Sequence, residues 1–170
     1  MEIILSGNCY WCTEAVFQQI KGCLKVEPGY YKITSPELKL SENDKVEVVK
    51  IEFNSELVSL KSILDVFFIP HNPTLVSWEK NQCVFPLNRS AIIICEKQHQ
   101  FVRQYINSIK SFYENPIHTQ ILIAETNKFI NLSVDKHNFY KNNPQDGYCT
   151  SIINPKLNTL KIKLKELLNE

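Results

Sequence analysis

Long hydrophobic runs are missing from this chain, and so is any surplus of charge. No apolar stretch approaches the roughly 20 residues of a membrane-spanning helix, so no membrane association is expected. The first residues lack the basic start and long apolar core of a secretory leader, which leaves the cytoplasm as the default location. Nineteen lysines and arginines stand against eighteen aspartates and glutamates, a net charge of +1. That balance argues against nucleic-acid binding by bulk electrostatics. Cysteine is present, six in 170 residues, but the dense spacing of a disulfide scaffold is absent, and a chain of this length needs no staples. Reduced or catalytic thiols are therefore expected. A metal is not, because Cys9 and Cys12 form one C-x-x-C pair with no second pair and no H-x-x-x-H to complete a ligand set. Cys23 and Cys95 sit among apolar neighbours and read as small core residues. Repeats, low-complexity tracts and linkers are lacking too, so residues 1–170 read as a single domain, expected to be monomeric.

What is present is organised around residues 3–20. Ile3, Ile4 and Leu5 form an apolar run that reads as a buried strand, and Ser6, Gly7 and Asn8 break it. Cys9 and Cys12 then stand where a helix should begin, with Ala15, Val16, Phe17 and Ile20 as its apolar stripe. The spacing predicts a short strand over 23–26, ended by Pro28-Gly29, and a loop over 30–45. Val46 to Phe53 is the clearest strand. Ser59 is placed as the N-cap of a helix carrying Leu60, Ile63, Leu64, Phe67 and Phe68 and stopping before Pro70. Residues 71–87 read as a long loop. Ser90 to Cys95 is a buried strand. Glu96 to Tyr113 is a helix with Phe101, Val102, Tyr105, Ile106, Ile109 and Phe112 on one face. Ile121 to Glu125 is a further strand. The tail after Asn127 is rich in turn signals and coil, with a final helix expected within 150–168. Strands alternating with helices in this order predict a two-layer α+β fold, a mixed sheet with helices packed on it.

The chemistry sits at the first turn. A thiol at a strand-to-helix junction lies near the positive end of a helix dipole, which favours thiolate. Cys12 follows one helical turn later. The alternative is that both are merely small residues near the core. Tyr10 and Trp11 are either core aromatics or the walls of a small apolar pocket. Cys149, in the turn-rich stretch NNPQDGYC, is either an idle thiol or the second thiol that regenerates an oxidised nucleophile. Glu47 interrupts an apolar strand: alternation would send it to solvent, whereas a place in the site would raise its pKa and make it a proton donor. His71, His137 and Asp135 are structural hydrogen-bonding residues or site groups on the same reasoning.

These residues resemble a family. Gly7 to Phe17, G-N-C-Y-W-C-T-E-A-V-F, is similar to the G-G-C-F-W-x-x-E-x-x-F signature of the type A methionine sulfoxide reductases. Val46 to Val49 resembles the family's A-E-V-V strand. His71-Asn72-Pro73-Thr74 resembles H-D-P-T, and Arg89 to Ile92 resembles R-S-A-I. Asp135 to Tyr140, then Asn143-Pro144 and Gly147-Tyr148-Cys149, resemble D-x-H-x-x-Y, N-P and G-Y-C. The likeness is collinear over residues 3 to 156. It implies a ferredoxin-like core, no cofactor, and reduction of the S epimer of methionine sulfoxide, free or in oxidised proteins. By position, it makes Cys9 the attacking thiol and Glu47 the donor of a proton to the sulfoxide oxygen. Tyr10 and Trp11 become the holders of the methyl group and Cys149 the resolving thiol. Thioredoxin or a similar dithiol becomes the reductant.

The sequence also departs from the pattern. Cys83 and Asn88 stand where the family has an aspartate and a tyrosine, the T-G-H before the A-E-V-V strand is absent, and only four glycines remain. Tyr30 or Tyr31 is the available substitute for a second site tyrosine. Two other functions stay open at this point: a dithiol oxidoreductase using Cys9 and Cys12 as its couple, and a catalytically weakened relative that binds sulfoxide or senses redox state.

Overall fold

Alternation along the first strand decides the two sides of the molecule. The computed structural model describes residues 1–7, 9–33, 45–75 and 90–169. In β1 (Glu2–Ser6) the side chains of Ile3 and Leu5 enter one core cluster and Ile4 enters another, as successive residues on a strand must. The same split runs through β3 (Lys45–Phe53), where Val49, Ile51 and Phe53 join Ile3, and Val46 and Val48 join Ile4. The remaining strands are β2 (Cys23–Lys32), β4 (Ala91–Ile94), β5 (Gln120–Ile123) and β6 (Phe129–Asn131). They form one six-stranded sheet in the order β5-β4-β1-β3-β2-β6, with β4–β5 parallel and the other pairs antiparallel.

The helices are α1 (Tyr10–Phe17), α2 (Leu60–Phe68), α3 (Glu96–Ile109), α4 (Phe139–Asn142) and α5 (Asn154–Lys163). Buried residues of α1, α2, α3 and α5 all join the cluster of Ile3 and Leu5, so these helices form the second layer on that face. The order β1-α1-β2-β3-α2-β4 with strands placed 4-1-3-2 is the ferredoxin-like arrangement, extended by β5 on one edge and β6 on the other. In α2, Ser59 caps the first turn by accepting the Ser62 N–H at 3.0 Å, which contributes about 1 kcal/mol. Each of its fully buried apolar side chains (Ile63, Leu64, Val66) contributes about 1.5–3 kcal/mol, so packing outweighs the cap. No helix among the described residues is long and apolar enough to cross a membrane.

Several expectations change. β2 does not stop at Pro28 but runs on to Lys32, so Tyr30 to Lys32 are strand rather than loop. The Pro28 carbonyl accepts the Leu132 N–H at 3.2 Å, which turns this residue's polar edge toward the β6 side. The missing N–H of proline therefore costs no bond to β3. The tail contains a short strand, β6, that the sequence did not suggest. Helix α3 ends at Ile109 and tightens over Lys110–Phe112. Val102, Tyr105 and Ile106 are buried as expected, whereas Phe101 and Phe112 are exposed: Phe101 lies about 100° round the helix from Val102, and Phe112 follows the change of pitch. The final helix spans Asn154–Lys163 and leaves Ile162 exposed. Cys95 is exposed at the start of α3 rather than in the core, because the turn from β4 carries it out of the sheet. Of the expected loops over 30–45 and 71–87, residues 34–44 and 76–87, with Cys83, lie outside the described residues, as do Asn88 and Arg89.

Candidate active site

The turn after β1 aims the start of α1 at β3. Gly7 makes this possible: a Cβ there would stand 2.7 Å from the buried Phe67 ring. Cys9 is the N-cap of α1, in extended conformation, and its carbonyl accepts the first helical bond, from Thr13 N–H at 3.3 Å. The first turn of a helix leaves its N–H groups without partners. One of them, on Tyr10, donates to Glu47 Oε2 at 3.0 Å. Glu47 is therefore on the helix side of β3, 6% exposed, and not in solvent. Burial, against the pull of the Tyr10 N–H and with a smaller push from Cys9, raises its carboxyl to about 7. A group with that pKa carries a proton through much of the neutral range and can give it away.

Tyr30 is the cross-strand partner of Glu47, on the same face, and its ring meets Tyr10 edge-on at 6.4 Å. Tyr31 points to the other side, where its hydroxyl accepts the Glu125 N–H at 2.9 Å. The choice between the two tyrosines is thus made by the strand's alternation. Tyr10 and Trp11 meet at 5.6 Å. Trp11 is stacked on Phe139 at 3.9 Å with an 11° angle, and Tyr148 closes on it edge-on at 5.8 Å. Aromatic rings therefore wall this end of α1 on three sides.

The two thiols do not titrate separately. The first proton leaves easily, since Cys12 is lowered to about 6 by hydrogen bonding with Cys9, against the cost of burial, and further by the Tyr148 hydroxyl and Lys156. The second is held well up, on Cys9, by the hydrogen bond to Cys12, by burial and by the charge beside it. The dipole argument pointed to a Cys9 thiolate; in the packed site Cys9 and Cys12 give up their first proton as a pair. Cys12 is 2% exposed and its Sγ lies 3.4 Å from the Tyr148 hydroxyl. A small cavity of about 10 Å³ lies behind it, lined by Gly7, Phe67, His71 and Lys156 among others.

Cys149 follows Tyr148 at the head of a π-helical turn, Cys149–Ile153. It is fully buried in the main core, and burial pushes its thiol up. It is not in a loose tail. His137 donates Nε2–H to the Leu132 carbonyl at 3.1 Å and bears on Glu14. His71 donates Nδ1–H to the Phe67 carbonyl at 2.6 Å, and its Nε2 accepts from Ser90 at 3.0 Å. Among the described residues no three His, Cys, Asp or Glu side chains gather as a metal set.

Sequence reasoning did not single out Glu14, Phe139, Tyr148 or Lys156. Glu14 is 1% exposed and its Oε1 accepts the Asn138 N–H at 2.8 Å. Asn138 is left-handed, φ 58°, and leads directly into Phe139. A carboxylate three residues after Trp11 thus holds the backbone that stacks Phe139 on the indole. The only signal was an acid on an otherwise apolar helix face.

A family model described as peptide methionine sulfoxide reductase matches residues 1–167. The chain is 31% identical over 172 residues to the peptide methionine sulfoxide reductase MsrA of Pasteurella multocida, covering 98% of this chain and 97% of that one. Its fold is similar to that of Mxr1 from Saccharomyces cerevisiae in reduced form, with a TM-score of 0.69 at 20% identity, covering 88% of each chain. A structure of Mxr1 in complex with Trx2 also matches, with a TM-score of 0.55 at 16% identity, over 82% of this chain and 84% of that one.

Proposed function

As the chain belongs to the peptide methionine sulfoxide reductase family, we propose that it reduces the S epimer of free or peptidyl methionine sulfoxide to methionine, as a peptide-methionine (S)-S-oxide reductase (EC 1.8.4.11). One juxtaposition carries this reading: the buried Glu47 carboxyl is tied to the first N–H of the helix that Cys9 caps. A proton donor and a sulfur nucleophile thus face the same small volume.

Cys9 attacks the sulfoxide sulfur while Glu47 delivers its proton to the oxygen. The sulfur–oxygen bond passes to Cys9, methionine leaves, and Cys9 becomes a sulfenic acid. Tyr10 and Trp11 hold the methyl group, with Trp11 braced by Phe139. The Tyr30 hydroxyl, beside Glu47, orients the sulfoxide oxygen. Cys149 takes up the oxidation as a disulfide, and thioredoxin or a similar dithiol reduces it, in keeping with the Mxr1 complex with Trx2. His137 contributes indirectly, by closing the turn that leads to Phe139. The reaction needs no cofactor. We place it in the cytoplasm, in a monomer folded as one domain over residues 1–170.

The test is to incubate the protein with the two epimers of a methionine sulfoxide peptide and dithiothreitol and to separate the products by chromatography. Consumption of the S epimer alone, abolished by Cys9→Ser, is expected. A folded sample that leaves the S epimer intact overturns the proposal.

A further inference from the structure

The mechanism above uses the start of α1 and gives no task to the start of α5, which packs beside it. We propose that Lys156, in the first turn of α5, is a positioning residue of this site: its ammonium holds the negative charge of the Cys9–Cys12 thiol pair and keeps one thiolate ready in the resting protein. For its consequence in turnover this rests on the reductase reading; for the charge itself it does not.

The placement of Lys156 is the first observation. It stands four residues before Leu160, so the two share one face of α5, and Leu160 is fully buried in the core cluster that also holds Cys12. The lysine stem therefore lies against apolar packing, and the residue lines the same small cavity as Cys12. With a volume of about 10 Å³, that cavity has room for about one water molecule. Lys156 is half-buried, whereas Lys161, Lys163 and Lys165 further along are exposed. Its position also runs against its own helix. A cation in the first turn meets the positive end of the helix dipole, and α5 carries no acid there to offset it. The lysine needs a negative partner from another element.

The thiol pair is that partner. Cys12 is buried, so a charge on it is poorly screened by water, and Lys156 favours its thiolate both by charge and by hydrogen bonding. His71 lines the cavity too but cannot supply the positive charge. It gives Nδ1–H to the Phe67 carbonyl and accepts from Ser90 at Nε2, and burial pushes it down to about 4. The other titratable groups around the thiols are Tyr10 on α1, Glu47 on β3 and Tyr148 before the π-helical turn. Each of these is neutral or negative. Among the described residues lining the cavity, Lys156 is thus the one cation.

The experiment reads the ionisation of the pair directly. The full-length reduced protein is labelled with iodoacetamide from about pH 4 to 10, and the rate is followed by mass on the peptide that carries Cys9 and Cys12, which separates these thiols from the others. Lys156→Met keeps the stem and removes the charge, and Lys156→Arg keeps the charge. Lys161→Met removes an exposed charge from the same helix. In Lys156→Met the midpoint should rise by about one unit, the lower end of what an adjacent opposite charge contributes. Labelling at pH 5 should then slow about tenfold, with no change at the alkaline plateau. Lys156→Arg should restore the wild-type profile, and Lys161→Met should not alter it. A Lys156→Met protein with the wild-type urea midpoint and an unmoved profile overturns the proposal. An equal shift in Lys161→Met also overturns it, since net charge would then be the cause. Should Lys156→Met fail to fold, Lys156→Gln decides by the same comparison. With the S epimer as substrate, the acid limb of kcat/KM, which reports the free enzyme, should move up with the labelling midpoint while the alkaline limb stays. If no form consumes the S epimer, the reductase reading fails alone, and the labelling still decides the role of Lys156.

Discussion

Glu47 owes its chemistry to two opposing neighbours. Burial works against the carboxylate, while the Tyr10 N–H at 3.0 Å works for it. Burial wins, and the group titrates near 7. Its proton is therefore present below that pH and lost above it, and turnover should fall as pH rises through about 7. Glu47→Gln keeps the hydrogen bond from Tyr10 but has no proton of comparable acidity to give. That variant should lose roughly 10²–10⁴ in kcat, the usual worth of a general acid, together with the alkaline limb of the profile. A variant that retains the limb would assign it to another group, and a variant with undiminished kcat would remove Glu47 from the mechanism. The sequence placed Glu47 in an apolar strand but left its direction open, because period-2 alternation needs a reference. Val49 and Ile51, which share its face, supplied that reference only once the helices were known to lie there. The burial of Cys149 was hidden for a related reason. Turn residues mark where the chain bends, and they do not tell whether the bend is covered.

At the level of elements, the first half of the chain was legible because its signals agree. β1, α1, β3 and α2 each combine the right period with a cap or a turn, as consistent sequences do. β2 is the exception. Pro28-Gly29 looked like a stop, yet both residues are fitted to a strand with a neighbour on its far side. Gly29 pairs with Asn131 of β6, and a Cβ there would stand 2.6 Å from both the Ile130 carbonyl oxygen and the Phe129 ring. A backbone oxygen cannot rotate away as a side chain can. Gly29→Ala should therefore push β6 off the sheet edge, with a loss of about 1–3 kcal/mol. The same change weakens the segment that leads through His137 to Phe139, so sulfoxide turnover should fall even though Gly29 touches no reacting atom. Urea unfolding and hydrogen exchange at Ile130 and Leu132, whose amides face β2, check this. Unchanged protection at those amides would mean that β6 tolerates the methyl group. A three-residue strand such as β6 has too few side chains to show a period, which is why the sequence did not reveal it.

For the molecule as a whole, the site sets the pH dependence of stability through two buried groups of opposite kind. Glu47 is raised from 4.5 to about 7, so the folded chain holds a proton there that the unfolded chain has already lost. Between those values stability must fall as pH rises. His71 is lowered from 6.5 to about 4, chiefly by burial, so the unfolded chain binds a proton that the folded chain refuses. Stability must therefore fall as pH drops from 6.5 toward 4. The slopes oppose each other over about pH 4.5–6.5. Other groups enter on both sides: burial raises Glu14, in the same sense as Glu47, while Lys25 and Lys50 overcome burial to lower Glu27, in the same sense as His71. Single variants separate the two principal terms. Glu47→Gln should gain on the wild type by about 1–2 kcal/mol as pH rises from 5 to 8, a figure reduced for solvent screening near the site mouth. His71→Asn, whose amide can still donate to the Phe67 carbonyl, should recover ground on the wild type as pH falls from 6.5 to 4.5. Urea midpoints at constant m value across that range measure both. Variant curves parallel to the wild type would mean that neither group changes its proton on folding. A slope lost only in Glu47→Gln would assign the dependence to the candidate site rather than to the packing behind it.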